Sequence, residues 1–278
     1  MNHMDRQIRV AILGCGTIGS ELATFIDSDE CQQAQVSALY DLDQSRSISL
    51  RNKLLSNPRV TESIEEILLD ADVSLVIEAA GPDAIQSYSK GIVLAGKHLM
   101  VMSVGGLLHG DIYAELDSIA SESGSQIFVP SGAVGGIDAI KACRDQLDVV
   151  ILTTKKHPDT ILDISVGNIK KDSDRKYPRE IFYGTALDAV KRFPFNINVA
   201  ATISLAGIGP IRTMVKIVAD PQVSGNVHEI YASGSSGIMR FTMENIPHPE
   251  NPRTSYMAIL AAIETMKHSS GRGIRIGT

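Results

Sequence analysis

A strand that runs directly into a glycine turn dictates how this chain begins to fold. The stretch Ile8-Arg9-Val10-Ala11-Ile12-Leu13 is apolar enough to be buried, and it leads straight into Gly14-Cys15-Gly16-Thr17-Ile18-Gly19. Between a strand and a helix, each glycine of Gly-x-Gly-x-x-Gly has its own physical task. Gly14 permits the tight turn, Gly16 lets backbone approach a pyrophosphate, and Gly19 lets the following helix pack on the strand. The pyrophosphate would lie at the helix N-terminus, where unpaired N–H groups and the helix dipole favour negative charge. Ile18, Leu22, Phe25 and Ile26 recur at helical spacing, and a second strand from Gln35 to Tyr40 ends in Asp41. A carboxylate there can accept the ribose hydroxyls of NAD and repels the 2′-phosphate of NADP. Arg46 is close enough in sequence to offset that repulsion, so NAD or NADP is the expected cofactor. A glycine-rich turn of some other α/β domain is the alternative; the βαβ context speaks against it.

The rest of the first half continues to alternate strands and helices, which predicts a doubly wound parallel sheet. A buried strand through Val73 to Ala79 ends in the small-residue turn Ala80-Gly81-Pro82, with Pro82 suited to a helix start. A strand from Lys97 to Val104 ends in Gly105-Gly106, a helix carries Ile112, Leu116, Ile119 and Ala120, and a strand follows from Gln126 to Val129. Ligands of such sheets bind outside the carboxyl ends of the strands. Gly14, Gly16, Thr17, Ile18, Gly19, Asp41, Ala80 and Gly81 collect there, and are the expected dinucleotide contacts.

Around Pro130 the pattern changes. The turn Ser131 to Gly136 enters a helix with Ile137, Ile140, Lys141 and Cys143. Strand-like segments then cluster at Val149 to Thr154, Ile161 to Val166, Ile211 to Ala219, Val227 to Ala232 and Ile238 to Met243. Between them Thr185 to Arg192 and Asn198 to Leu205 read as helices. The expected architecture is α/β: an N-terminal Rossmann-type doubly wound sheet over residues 1–130, with a second, smaller α+β domain of mainly antiparallel sheet over 131–253. Thr254 is placed to cap a last helix, 254–270, that would complete the first domain.

Composition excludes several functions. The net charge is −6 and no long basic run is present, so no nucleic-acid partner is expected. Lys155-Lys156 and Lys170-Lys171 are only pairs and read as solvated. Cys15, Cys31 and Cys143 have neither disulfide-framework nor zinc spacing, so free thiols and no metal are expected. The first strand begins too soon after Met1 for a signal peptide, and no apolar run could span a bilayer. A cytoplasmic protein without a membrane partner is the expectation.

Among seven histidines, His228 stands inside the strand Asn226-Val227-His228-Glu229-Ile230-Tyr231. Period-two alternation puts it on one face with Ile230 and Ala232, pointing inward. It could be a satisfied core histidine or a general acid or base whose ordinary pKa lies near neutrality. Asn198, at the start of a small-residue helix, can cap that helix or hydrogen-bond a ligand carboxamide. The Ser131-Gly132-Ala133 turn offers backbone N–H groups suited to a substrate carboxylate, or is a plain helix start.

The chain resembles the L-aspartate dehydrogenase family. The resemblance is carried by Gly14 to Gly19, Pro130-Ser131-Gly132-Ala133, Phe193-Pro194 with Asn196-Ile197-Asn198-Val199-Ala200, and Ser204-Leu205-Ala206-Gly207. It continues through Asn226-Val227-His228-Glu229-Ile230 and Pro249-Glu250-Asn251-Pro252-Arg253-Thr254-Ser255-Tyr256. It implies NAD(P)-dependent oxidative deamination of L-aspartate to iminoaspartate and then oxaloacetate with ammonia, with iminoaspartate also able to feed pyridine nucleotide biosynthesis. It further implies a homodimer, a catalytic His228, and cofactor contacts at Ala133 and Asn198. Ser131, Gly132, Ala133, Asn198 and His228 are then the expected substrate contacts. The region Asn168 to Pro178 matches no pattern of the family. A related enzyme of the homoserine dehydrogenase or dihydrodipicolinate reductase type would share the nucleotide domain, and an NAD(H)-sensing module would bind cofactor without turnover.

Overall fold

The computed structural model describes residues 7–163, 167–168, 176–194, 197–249 and 251–269. Of these, the residues up to Pro130 and from Ala262 onward cluster into one compact unit, and Ser131–Ala261 into another.

The first unit alternates β1 (Ile8–Leu13), α1 (Thr17–Ile26), β2 (Ala34–Tyr40), α2 (Gln44–Arg51), β3 (Arg59–Val60) and α3 (Ile64–Leu69). It continues with β4 (Leu75–Glu78), α4 (Pro82–Leu94), β5 (His98–Val101), α5 (Ile112–Ser123) and β6 (Ile127–Phe128). The six strands form one sheet in the order β3-β2-β1-β4-β5-β6, every pairing parallel. Strand order reverses between β1 and β4, the place where a doubly wound sheet opens a crevice for a ligand. Val10, Ala11, Ile12 and Leu13 are buried, as a central parallel strand covered on both faces requires. Each such aliphatic side chain contributes about 1.5–3 kcal/mol by leaving water.

Local chemistry sets the helix starts. The Asp43 side chain caps α2 by accepting from the Ser45 amide at 3.1 Å, Ser63 and Glu66 form a capping box on α3, and Pro82 opens α4. One expected strand is shorter than its apolar run. β5 ends at Val101, and Val104–Leu108 form a 3-10 turn. Gly106 packs so closely on α4 that an added Cβ would lie 2.8 Å from the Ile85 Cβ, so the chain turns there instead of extending.

The second unit runs α6 (Ile137–Cys143), β7 (Leu147–Lys156), β8 (Leu162–Asp163), β9 (Gly167–Asn168), β10 (Arg179–Thr185), α7 (Ala186–Arg192) and α8 (Asn198–Ala206). It then runs β11 (Met214–Ala219), β12 (Asn226–Gly234), β13 (Gly237–Asn245), β14 (Pro247–His248), β15 (Asn251–Ser255) and the start of α9 (Tyr256–Ser269). The main sheet has the order β10-β11-β7-β12-β13. Three pairings are antiparallel and β11 lies parallel to β7, so the sheet is mixed. Its inner face carries Val150, Leu152, Val215, Ile217, Ile230 and Ala232, and Phe182 meets Phe193 edge-on at 5.6 Å.

Three expectations change here. β10 lacks an alternating apolar signal because its side chains are exposed or half-buried, and Phe182 is the one that reaches the core. β11 begins at Met214, since Ile211 is 70% exposed in a turn closed by Thr213 N–H donating to the Gly209 carbonyl at 3.0 Å. Thr254 does not cap α9: it lies in β15, which pairs with β14 through Pro247 and Ser255, and the helix starts only at Tyr256. The portion of α9 grouped with the first unit begins at Ala262. Residues 164–166, the tail of one expected strand, and 169–175 lie outside the described residues.

Candidate functional site

The glycine loop makes a cradle out of backbone. Gly14 has φ +96°, and a Cβ there would lie 2.6 Å from the Ala79-Ala80 backbone. A Cβ on Gly19 would come within 1.9 Å of the Gly14 carbonyl oxygen, so only glycine lets α1 start here. Gly16 differs: nothing lies within 4 Å of its missing Cβ, and it is the N-cap of α1 without a side-chain cap. It leaves open space before the unpaired N–H groups that start α1, a place that favours an anion. Gly14, Gly16, Asp41 and Ala80 line one cavity of about 370 Å³ together with Tyr40, Asp43, Arg46, Asp83 and Tyr88. Thr17 and Ile18 form the first turn of α1, and Gly19 packs beneath the loop; none of the three lines the cavity, nor does Gly81.

Two carboxylates hold this cradle. Asp41 accepts the Cys15 N–H at 2.7 Å on one oxygen and the Asp43 N–H at 2.9 Å on the other. Arg46 pairs with Asp43, Nε to Oδ2 3.4 Å. Glu78, at the end of β4, is buried and accepts from the Ala80 and Gly81 amides at 2.9 Å each. It also accepts from the Ser103 amide at 3.0 Å and the Ser103 hydroxyl at 2.8 Å. Burial raises its pKa while these four bonds pull the other way. The Ala80 and Gly81 amides are therefore spent on Glu78, and what Ala80 offers the cavity is surface and not an N–H group. The Cys15 thiol is pushed up to about 12 by burial and by the Asp41 charge, which makes it inert.

In the second unit, period-two alternation in β12 buries Asn226, His228, Ile230 and Ala232, and His228 is 3% exposed. Cross-strand register places His228 between Thr154 on β7 and Met243 on β13. Thr154 Oγ1 lies 3.0 Å from His228 Nδ1. When Nδ1–H donates to that hydroxyl, Nε2 keeps its lone pair. Burial first, and then the positive charge of Lys156, lower the imidazole pKa to about 3. The ring is therefore neutral across physiological pH, which corrects the near-neutral titration expected of it.

The apolar inner face ends in a polar patch. Asn226 Nδ2 donates to Ser255 Oγ at 3.0 Å, and Asn245 Nδ2 donates to the Ala133 carbonyl at 2.9 Å. That second bond pins the Ser131–Gly136 turn over β13. Gly135 lies near Met243, the residue opposite His228, and a Cβ on Gly136 would strike Phe241 at 2.5 Å. Ser131 and Gly132 are half-buried and Ala133 is buried, so the turn and His228 share one end of one face. α6 is a single short helix of seven residues, too short for its dipole to make the turn an anion site. Asn198 is exposed and is the first helical residue of α8; Ile197 holds the N-cap position. Of the two readings of Asn198, the N-cap position itself thus falls to its neighbour.

Sequence reasoning missed Lys156 and Thr154. Lys155 points outward and pairs with Glu229, Nζ to Oε1 2.6 Å, whereas Lys156 is 7% exposed, so the pair is not uniformly solvated. The alternation Val150, Leu152, Thr154, Lys156 was the available signal. Other histidines have structural partners: His98 accepts from the Gln126 amide at 3.0 Å, and His268 meets Glu264 at 2.9 Å. Among the described residues no cluster of His, Cys, Asp or Glu could hold a metal ion, and no helix is long and apolar enough to cross a membrane.

Comparison with known proteins separates the two units. Residues 138–269 match the family model described as aspartate dehydrogenase, C-terminal, and residues 14–130 match that of the homoserine dehydrogenase NAD binding domain. The chain is similar to an L-aspartate dehydrogenase of Nitrosopumilus maritimus, 40% identical over 97% of this chain and 99% of the relative. It is also similar to an L-aspartate dehydrogenase of Methanocaldococcus jannaschii, 34% identical over 98% of this chain and all of the relative. A crystal structure of aspartate dehydrogenase from Thermotoga maritima superposes with a TM-score of 0.77 at 28% identity, covering 98% of this chain and 100% of that one.

Proposed function

This chain belongs to the L-aspartate dehydrogenase family, and on that premise we propose that it oxidises L-aspartate at Cα, using NAD in preference to NADP. The observation that carries the reading is His228: a buried, neutral imidazole with one nitrogen held by Thr154, at the end of a face where a pinned backbone turn also lies. The glycine loop holds the pyrophosphate, and Asp41 and Asp43 face the adenosine ribose. Three carboxylates in that cavity, Asp41, Asp43 and Asp83, disfavour an extra phosphate, and Arg46 is already paired with one of them. We assign nicotinamide contacts to Ala133 and Asn198 from the family resemblance, and substrate contacts to Ser131, Gly132, Ala133 and Asn198 alongside His228.

Bound nicotinamide dinucleotide supplies the acceptor for a hydride. The substrate ammonium must first lose a proton, because only a nitrogen lone pair can push out hydride from Cα and leave an imine. His228 Nε2 accepts that proton or the proton of the water that attacks the imine. Addition of water and loss of ammonia give oxaloacetate. Iminoaspartate that escapes before hydrolysis would be available for pyridine nucleotide biosynthesis. We also propose a homodimer. The outer face of the second sheet exposes Val149, Tyr183 and Ile238, apolar surface that a second copy would cover; light scattering after size exclusion tests it.

The test of the reaction is direct. Protein incubated with NAD and aspartate should accumulate NADH absorbance, and with homoserine should not. Homoserine turnover would favour the homoserine dehydrogenase type, and cofactor binding without turnover a sensing module.

A further inference from the structure

The inner face of β7 delivers a cation beside the histidine. Thr154 and Lys156 are successive inward residues of that strand, and Thr154 stands directly opposite His228. Lys156 is thus the diagonal neighbour of His228, at about 7–8 Å between backbones, within reach of a four-carbon stem. Its charge is felt at the ring. Two neighbouring lysines have carboxylate partners: Lys155 pairs with Glu229, and Lys216 with Glu180 at 2.8 Å. Lys156 is 7% exposed, and no carboxylate among the described residues acts on it; burial alone lowers its pKa, to about 8. At neutral pH it remains mostly charged.

A buried cation without a counter-ion is costly, and structures retain one where an anion arrives. Resting on the proposed oxidation of aspartate, we propose that Lys156 Nζ receives a carboxylate of the amino-acid substrate next to His228. The substrate is a dicarboxylate, so this accounts for one of the two anionic groups that must leave water together. A second consequence follows from charge. A carboxylate seated on Lys156 cancels the positive field that weakens His228 as a base, so the imidazole gains proton affinity when substrate is present and not before.

The experiment compares wild type with Lys156→Met and Lys156→Arg, measuring aspartate-dependent NADH formation and inhibition by succinate, a dicarboxylate with no amine to oxidise. Loss of a charged hydrogen bond predicts that KM for aspartate and Ki for succinate rise about 10- to 100-fold in Lys156→Met, with NADH affinity unchanged. Lys156→Arg should restore most of the binding. A lysine that is only structural would instead lower the melting temperature and leave KM and Ki in place. A folded Lys156→Met protein with KM and Ki within threefold of wild type overturns the proposal. If that variant does not fold, acetylation of wild-type Lys156 by a small acyl ester, read by peptide mass spectrometry with and without succinate, decides. Protection by succinate supports the site. Equal labelling, or no labelling in either state, overturns it, because a site open to a carboxylate must admit the reagent. Wild type that fails to oxidise aspartate sinks the proposed function instead, and the succinate protection still answers for Lys156.

Discussion

The two units build their candidate sites from different materials. In the first, the candidate cradle is backbone: a turn that needs glycine at Gly14, a helix start that needs it at Gly19, and open space at Gly16. In the second, it is side chains from separate strands: Thr154, Lys156, His228 and Asn245, brought together by register. A backbone site demands a residue type at a fixed spacing and so announces itself locally. A side-chain site on a sheet needs only that each strand point the right residue inward, and the neighbours lie some 70 residues away, as Thr154 and His228 do. The contrast also parallels the family models, since residues 14–130 match that of a homoserine dehydrogenase NAD binding domain and residues 138–269 that of the aspartate dehydrogenase C-terminal part, while whole L-aspartate dehydrogenases match across both units.

That division can be broken at its strongest point. His228→Ala should lower turnover about 10²- to 10⁴-fold, with NADH affinity retained because the proposed glycine cradle for the cofactor lies in the first unit. His228→Asn should not recover it, since an amide cannot exchange protons near neutral pH. Near wild-type rates in a folded His228→Ala protein would return the residue to the core. A smaller effect separates the glycines. Gly16→Ala should keep the melting temperature and weaken NADH about 10- to 100-fold, because its methyl occupies the ligand's space. Gly19→Ala should instead cost about 1–3 kcal/mol or more of stability, since its methyl meets the Gly14 carbonyl. Equal behaviour of the two variants would mean that the open space is not the pyrophosphate site.

Asp41→Ala should weaken both cofactors by loosening the Cys15 and Asp43 amides, and shift the NAD to NADP affinity ratio about 10-fold toward NADP. An unchanged ratio would remove Asp41 from the ribose. The smallest expected signal concerns pH. With the free-protein imidazole near 3, kcat/KM of wild type should carry no histidine limb between about pH 5.5 and 7.5, and its slope there should parallel that of His228→Ala. Linkage gives the matching stability effect. The unfolded chain binds this proton at about 6.5 and the folded one at about 3, so wild type loses stability as pH falls across that window and His228→Ala loses less. A wild-type limb near 6.5 that the variant lacks would show the ring to be far better solvated than its 3% exposure implies.

Much of the first unit was readable in order along the chain. Its strands are apolar runs buried on both faces, its helices are punctuated by Asp43, Ser63 and Pro82, and its cradle rests on three glycines within six residues. Even His228 was legible as an inward residue, because alternation within one strand suffices for that. Its chemistry was not. The hydroxyl that meets its Nδ1, the cation that weakens it and the turn that flanks it are decided by how β7, β12 and β13 align, and by Asn245 reaching the Ala133 carbonyl. Adjacent lysines look alike in a sequence; a pleat separates Lys155, paired at the surface, from Lys156, buried beside the histidine. Composition and local pattern act over a few residues, whereas burial and register act across the sheet, and a pKa or a counter-ion exists only after the sheet has formed.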